Sequence, residues 1–395
     1  MANVFAIERR RFQWTWLTIS DWLNNVVSDY QNKYRVMLVI QSLRVGGAET
    51  MVENLSYALV REGCAVLVVV LQPGETMLTE RMRKYGVDLV ILGKRPGFDP
   101  SVSGRLAVIM RDFQPNVVHS HLPILQYVVP AAKKAHVSNL VHTLHSLADK
   151  ETTSTLKRVI SGMCYRKGLV TPVALSEENK QSIKNLYKIG DSQAFVVANG
   201  IELTAFSAKQ DFGIYGRVRL CHIGRFVDAK NHAALVLAAE HLKADGFDCI
   251  FDLYGDGPLY ETTKELVASR GLTDSFVFHG LTDDVPNVLG SADIFVFPSV
   301  YEGMPMVLVE AMAAGLPIVA SAVGGIPDML EDGKSALLCE PDAASVVTAV
   351  ERLLSDEGLR KSLGMAARER AADFSSDAMA KAYLGVYKRK GVRAC

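Results

Sequence analysis

From Tyr34 onward, short and nearly uninterrupted apolar runs alternate with amphipathic stretches, and the alternation runs through the chain twice. A strand that is apolar at every position, not at every second one, has both faces buried, which is the mark of a parallel sheet covered by helices. The first set of such runs lies at 35–40 (RVMLVI), 65–71, 88–92, 116–119, 139–144, 170–175 and 194–198, with helical patterns between them, for example 48–61 and 176–187. The segment AFSAKQDFGIYG interrupts the rhythm, which then restarts with strands at 217–223, 250–254, 276–279, 293–297, 317–321 and 336–338. This pattern predicts an α/β protein with two doubly wound parallel-sheet domains, 34–205 and 217–375, joined by a linker at 206–216. A last helix at 376–390 carries Met379, Tyr383, Val386 and Tyr387 at three- and four-residue spacing. It must bury that face, and residues 376–395 are expected to return to the first domain. Two such domains turn the carboxyl ends of their strands toward a shared cleft, so chemistry is expected in the loops that follow strands.

Composition narrows the function. Lys plus Arg and Asp plus Glu both total 43 in 395 residues, so the net charge is zero and the basic excess of a general nucleic-acid binder is missing. The six cysteines are scattered with no CxxC pair, as expected of reduced, cytoplasmic thiols and not of a disulfide framework or zinc site. No run of apolar residues is long enough for a transmembrane helix.

Residues 1–33 form an N-terminal extension of different character. Arg9, Arg10 and Arg11 precede Phe12, Trp16, Ile19, Leu23, Val26, Val27 and Tyr30, which recur at helical spacing, and all three tryptophans fall here. Polar interruptions and the lack of a small-residue cleavage site argue against a secretion signal. Two readings stay open: an added helix on the body of the protein or an extension with no role, or else a candidate amphipathic helix lying on the cytoplasmic face of a membrane. Asp21 and Asp29 oppose the second on anionic lipid.

The strand-end loops carry the chemistry. After the first strand, Gly46-Gly47 opens a helix, and either a plain tight turn or an anion site at the helix N-terminus fits. After strand 217–223 comes Gly224-Arg225-Phe226-Val227-Asp228-Ala229-Lys230-Asn231, whose Arg and Lys are either solvated cations or a pair that neutralises a diphosphate. The loop Gly255-Asp256-Gly257-Pro258 reads as turn chemistry. The most informative stretch is Ser299-Val300-Tyr301-Glu302-Gly303-Met304-Pro305-Met306-Val307-Leu308-Val309-Glu310. Pro305 suits a helix start, and the backbone N–H groups that follow are free for phosphate oxygens. A carboxylate there, such as Glu310 among apolar neighbours, can accept hydrogen bonds from sugar or ribose hydroxyls. Gly324 and Gly325 permit another close backbone approach. His119, His121, His142 and His145 cluster after two strands of the first domain; a structural role is the usual reading of each, a metal site lacks a completing ligand, and a histidine at the cleft is a candidate substrate contact.

Together these residues resemble glycosyltransferase family 4, retaining enzymes of the GT-B fold with two Rossmann-like domains. The resemblance covers nearly all of 34–390 and rests on the E-x7-E signature from Glu302 to Glu310, joined by Gly224-Arg225 with Lys230-Asn231, Gly255-x-Gly257-Pro258, Asn199-Gly200-Ile201-Glu202 and Gly46-Gly47-Ala48-Glu49. It implies that Arg225 and Lys230 bind the donor diphosphate and that Glu310 binds the ribose. Glu302 and the backbone of Gly303, Met304, Pro305, Met306 and Val307 would contact the donor sugar, and His145 would be the active-site histidine beside it. Gly47 would approach the phosphate from the opposite domain, and Leu281 would lie where the nucleobase is held by backbone contacts. The extension at 1–33 departs from the family pattern.

The implied reaction moves a sugar from a nucleotide-diphosphate sugar, most commonly a UDP-sugar, to a saccharide or lipid-linked saccharide in polysaccharide or glycoconjugate biosynthesis. No D-x-D motif sits at a strand end, and two cations can supply a metal's electrostatic work, so no metal or other cofactor is expected. The alternatives are a GT-B sugar-nucleotide epimerase, which needs no acceptor, and a non-catalytic sugar-nucleotide-binding partner of another transferase. The second would show loss of a motif residue, and none is lost.

Overall fold

The computed structural model describes residues 33–390 apart from Val45, Thr152 and Thr153; the extension read as a candidate amphipathic helix therefore lies outside the described residues. Two parallel sheets organise the chain, each flanked by helices on both faces. The first is built from β1 (Arg35–Ile40), β2 (Ala65–Val70), β3 (Asp88–Ile91), β4 (Val117–His121), β5 (Leu140–Thr143), β6 (Thr171–Ala174) and β7 (Phe195–Val196), in the order β3-β2-β1-β4-β5-β6-β7. The second is built from β8 (Val218–Ile223), β9 (Cys249–Tyr254), β10 (Phe276–Gly280), β11 (Ile294–Phe297), β12 (Ile318–Ser321) and β13 (Leu337–Cys339), in the order β10-β9-β8-β11-β12-β13. These are the two doubly wound, Rossmann-like halves of a GT-B architecture. The strand order reverses between β1 and β4 and again between β8 and β11, and a ligand crevice opens at such switch points.

The continuous apolar strands are explained by their burial. In β1, Met37 and Val39 enter one apolar cluster with Leu67, Met110 and Phe113, while Val36, Leu38 and Ile40 enter another with Met51, Leu55 and Val68. β11 divides in the same way, Phe295 and Phe297 to one face and Ile294 and Val296 to the other.

The edge strand is shorter than the apolar run 194–198 suggests, because the chain leaves the sheet to cross between domains. Ile201 N donates to Phe374 O at 3.0 Å and Ser376 N donates to Ile201 O at 2.8 Å, so the outgoing and returning crossings bind one another. Gly200 makes this approach feasible: a Cβ there would sit 2.4 Å from the Ser375 carbonyl oxygen. Residues 206–216 carry no regular structure yet are pinned to the second domain, Lys209 N donating to Ala314 O and Arg360 Nε to Phe212 O.

After the return crossing, the helix Ser376–Lys390 lies on the first sheet. Met379, Ala380, Tyr383, Leu384, Val386 and Tyr387 share one buried cluster with Val36, Leu38, Leu55 and Val117. At ~1.5–3 kcal/mol for each large apolar side chain, the five large ones contribute roughly 8–15 kcal/mol, as much as the whole stability of an ordinary domain. A chain ending at Ser375 is therefore expected to lose the cooperative unfolding transition of the first domain, seen by calorimetry, while Tyr387→Ala in the full chain costs ~3–5 kcal/mol in urea titration.

Candidate active site between the domains

The second-domain loops are locked backbone to backbone, and glycine is what permits it. A Cβ on Gly255 (φ 135°) would lie 2.0 Å from Gly224 O, and one on Gly257 would lie 2.5 Å from Phe226 O. Phe226 N donates to Asp256 O at 3.0 Å and Gly255 N to Gly280 O at 2.7 Å, which ties the loops after β8, β9 and β10 together. On the other side of the switch point, a Cβ on Gly324 (φ 57°) would collide with Glu302 O, and one on Gly325 would lie 2.0 Å from Gly303 O. The close approach expected of Gly324 and Gly325 is thus made to the neighbouring loop, which they hold in place.

That packing sets the polar groups of the motif. Val300 N donates to Ala229 O at 2.9 Å, and Asn231 (φ 54°) donates from Nδ2 to Pro298 O at 3.1 Å and to Pro341 O at 2.8 Å. Lys230 Nζ reaches Glu302 Oε1 at 2.5 Å and lies 4.6 Å from the centre of the Phe297 ring. Glu302 is 8% exposed, so the ion pair is largely withdrawn from water. Sequence reasoning gave these two residues separate roles and did not foresee the pair. Arg225 is exposed one loop residue beyond Gly224. The helix Met306–Ala314 begins after Pro305 with no side-chain cap; Leu308 N donates to Pro305 O at 3.1 Å, and the Met306 and Val307 N–H groups are left for a ligand or water. Met304 and Met306 turn their side chains into the apolar core, and Asn199 N donates to Met304 Sδ at 3.0 Å, so only backbone from this pair faces outward.

Glu310 lies one turn inside this helix and lines a cavity of about 290 Å³ between the domains, facing Thr282 and Pro286 on its own side and Thr50, Asn54 and Arg81 on the other. Arg81 is clamped there by Glu53, at 2.8 Å to Oε1 and 2.6 Å to Oε2. Burial pushes the Glu310 carboxyl up to about 7. Leu281, after Gly280 (φ 71°), is 73% exposed beside Thr282. Gly47 opens the helix Gly47–Arg61 with its face clear of other atoms.

Across the cleft, His145 and the residues after it face the second domain. Tyr301 Oη accepts from Leu147 N at 3.1 Å, and a Cβ on Gly303 would lie 3.4 Å from His145 O. Glu151 holds this loop, Oε2 accepting from His145 N and Ser146 N at 3.1 Å each and from Ser146 Oγ at 2.9 Å. Burial lowers His145 to about 4 and raises Glu151 to about 7. The other histidines divide by face. His142 bonds Ser120 on one face at 2.8 Å. His119 bonds Tyr387 Oη at 2.7 Å and Thr143 Oγ1 at 2.8 Å on the other. Among the described residues, no group of three or more His, Cys, Asp or Glu side chains could hold a metal ion. Sequence reasoning passed over Glu151 and the Tyr301 hydroxyl; Tyr301 stood inside the motif, but nothing in a local pattern marks Glu151.

The site is therefore a cleft between two Rossmann-like domains, with the Lys230–Glu302 ion pair, the Glu310 carboxyl and an uncapped helix N-terminus on one wall and a neutral histidine on the other. The sequence matches Glycosyltransferase Family 4 over residues 45–205 and Glycosyl transferases group 1 over residues 207–370. The chain belongs to this glycosyltransferase family, whose members transfer sugar from a nucleotide sugar to an acceptor. It is 27% identical to N-acetyl-alpha-D-glucosaminyl L-malate synthase of Bacillus anthracis over 74% of this chain and 79% of that one. It is 29% identical to the Escherichia coli UDP-Gal:alpha-D-GlcNAc-diphosphoundecaprenol alpha-1,3-galactosyltransferase over 62% of this chain and 67% of that one. Among solved structures it resembles a glycosyltransferase from Rickettsia africae (TM-score 0.79, 19% identity, 92% of this chain and 100% of that one). It also resembles Anabaena HepE in complex with UDP and glucose (TM-score 0.78, 16% identity, 90% and 100%).

The Glu310 carboxyl, raised by burial, gives a prediction with a definite sign. Its folded form binds a proton more tightly than the unfolded chain, so its contribution to stability is present below about 4.5 and is lost as pH rises through about 7. Glu310→Gln is expected to melt higher than wild type at pH 8, to differ little at pH 4.5, and to bind UDP more weakly. Scanning calorimetry at the two pH values and UDP titration check all three.

Proposed function

We propose that this enzyme is a retaining glycosyltransferase that uses a UDP-sugar and glycosylates a saccharide or lipid-linked saccharide in polysaccharide or glycoconjugate assembly. The observation that carries the reading is the meeting of Lys230, Glu302 and the uncapped N-terminus of Met306–Ala314 at the strand ends opposite the His145 loop. In this reading Arg225 and Lys230 grip the diphosphate, Glu310 accepts hydrogen bonds from the ribose, and the backbone at Leu281 meets the base. Glu302 and the backbone from Gly303 to Val307 hold the sugar, with His145 on its other side and Gly47 near the phosphate. The UDP complexes of HepE and the UDP-galactose and diphosphoundecaprenol in the name of the Escherichia coli relative support the choice of donor and acceptor class.

The chemistry follows from charge. As the bond from the sugar's anomeric carbon to the phosphate oxygen breaks, negative charge grows on the diphosphate, where two cations and helix-terminal N–H groups stabilise it. The acceptor hydroxyl enters on the same face, its oxygen bonding the anomeric carbon while its proton passes to the departing phosphate oxygen. Configuration is thereby retained, no carboxylate nucleophile is needed, and the cations do the work a metal would do. An epimerase would instead convert the UDP-sugar with no second substrate, and a non-catalytic partner would bind without turnover.

Peripheral membrane association is part of the proposal. No helix among the described residues is long and apolar enough to cross a membrane. The helix Thr155–Arg166, which follows the His145 loop, exposes Leu156, Val159 and Met163 along one stripe, contains no acidic residue, and ends beside exposed Arg166 and Lys167. An apolar stripe rimmed by cations suits an anionic lipid surface. Replacing all three apolar residues by serine is expected to reduce sedimentation with phosphatidylglycerol vesicles, leaving sedimentation with phosphatidylcholine vesicles low in both proteins. If only deletion of residues 1–33 has this effect, the stripe has no such role.

The donor assignment is tested by calorimetric UDP titration of Arg225→Ala, Lys230→Ala and the double variant. Each charge-assisted bond contributes ~1.5–3 kcal/mol, so each single variant is expected to lose roughly ten- to a hundredfold in affinity, and the double variant less than the sum. Because Lys230→Ala also strands Glu302, Lys230→Met/Glu302→Gln is the control that separates lost stability from lost binding. Singles that bind UDP like wild type refute the assignment. His145→Ala is expected to slow transfer far more than it weakens UDP binding.

A further inference from the structure

His121 is a buried group for which the transfer chemistry has no use. It is 0% exposed, at the carboxyl end of β4. Its Nδ1 lies 3.2 Å from His145 Nε2, and its own Nε2 is buried with no hydrogen-bond partner among the described residues. Its ring packs 4.1 Å, centre to centre, from His119, which is fixed at both nitrogens by Tyr387 and Thr143; Thr143 in turn bonds Tyr383 at 2.8 Å. The returning helix thus holds His119, His119 backs His121, and His121 meets the histidine at the cleft.

A hydrogen bond between two imidazoles needs one N–H and one lone pair. Burial lowers both rings well below the ordinary histidine range, so both are neutral. If His145 donated, His121 would carry its proton on Nε2, leaving an N–H buried with nothing to receive it. If His121 donates from Nδ1, its Nε2 is a bare lone pair, the less costly of the two orphans. His145 then accepts at Nε2 and carries its proton on Nδ1, which has no hydrogen-bond partner among the described residues.

We propose that His121 is a positioning residue that fixes His145 in its Nδ1–H form, so that His145 offers the donor sugar a hydrogen-bond donor and not an acceptor. The proposal rests on the reading of His145 given under Proposed function, but its first test needs no substrate. In the full chain labelled with 15N-histidine, the His145 ring signals, assigned by their loss in His145→Ala, are expected to show a protonated Nδ1 and a bare Nε2. His121→Leu should move His145 toward the Nε2–H form or a mixture, whereas His121→Asn, whose amide nitrogen takes the place of Nδ1, should keep the wild-type pattern. A wild-type His145 protonated at Nε2, or one unchanged in His121→Leu, overturns the proposal; the wild-type spectrum decides even if the leucine variant folds poorly. Turnover gives the second reading. His121→Leu should lose about tenfold in kcat with UDP affinity unchanged, and His121→Asn should recover most of it. Undiminished transfer by His145→Ala would remove the reading of His145 itself and leave the tautomer result standing, so the two failures are distinguishable.

Discussion

The contact between the backbone of Glu302–Gly303 and Gly324–Gly325 is the constraint on which the second-domain wall of the cleft depends. It brings a peptide of one strand-end loop so near the next that no β-carbon fits at either glycine. With the peptide held there, the Glu302 side chain points to Lys230, Gly303 faces the backbone of His145, and the chain enters the helix Met306–Ala314 with its first N–H groups uncapped. The same device repeats at Gly255 and Gly224 on the other side of the switch point. Rigid loops matter here because electrostatic stabilisation works only when the dipoles are already aimed. What the glycines do in the structure is set the loops against one another.

Much of the fold was legible because its signals are local. A strand buried on both faces must be apolar throughout, so β1 and β2 announce themselves and their parallel pairing. The helix Ser376–Lys390 was equally readable from its spacing. Its tyrosines were not: Tyr383 and Tyr387 look like ordinary core residues, yet the Tyr387 hydroxyl bonds His119 and the Tyr383 hydroxyl bonds Thr143, more than two hundred residues away in sequence. Periodicity says which face is buried and nothing about which polar atom it meets.

The candidate site divides in the same way. Glu302, Glu310, Arg225 and Lys230 sit in a motif dense enough to be noticed, and the fold brings their loops to one end of the second sheet. What the motif could not convey is pairing. Lys230 with Glu302, His145 with His121, and the His145 loop with Glu151 and Tyr301 are decided by strand order and loop packing, which join segments far apart in the chain. Glu151 has no motif around it. Its importance is visible only when three hydrogen bonds converge on one of its oxygens.

The charge state of the cleft follows from burial and from these pairings. Burial keeps His145 neutral and brings Glu310 to the edge of neutrality, while Lys230 and Glu302 cancel. An ammonium carries three donors and Glu302 occupies one, so a diphosphate can approach Lys230 without breaking the pair. The carboxylate then does two things at once. It compensates the lysine, which would be costly as a lone, largely buried cation, and it keeps the ammonium at the strand end. Arg225 is exposed, and in the proposed reading it supplies the added positive charge. In the proposed donor complex the diphosphate would meet a lysine already held in place, so its charge would be stabilised without rearrangement of the strand-end loops.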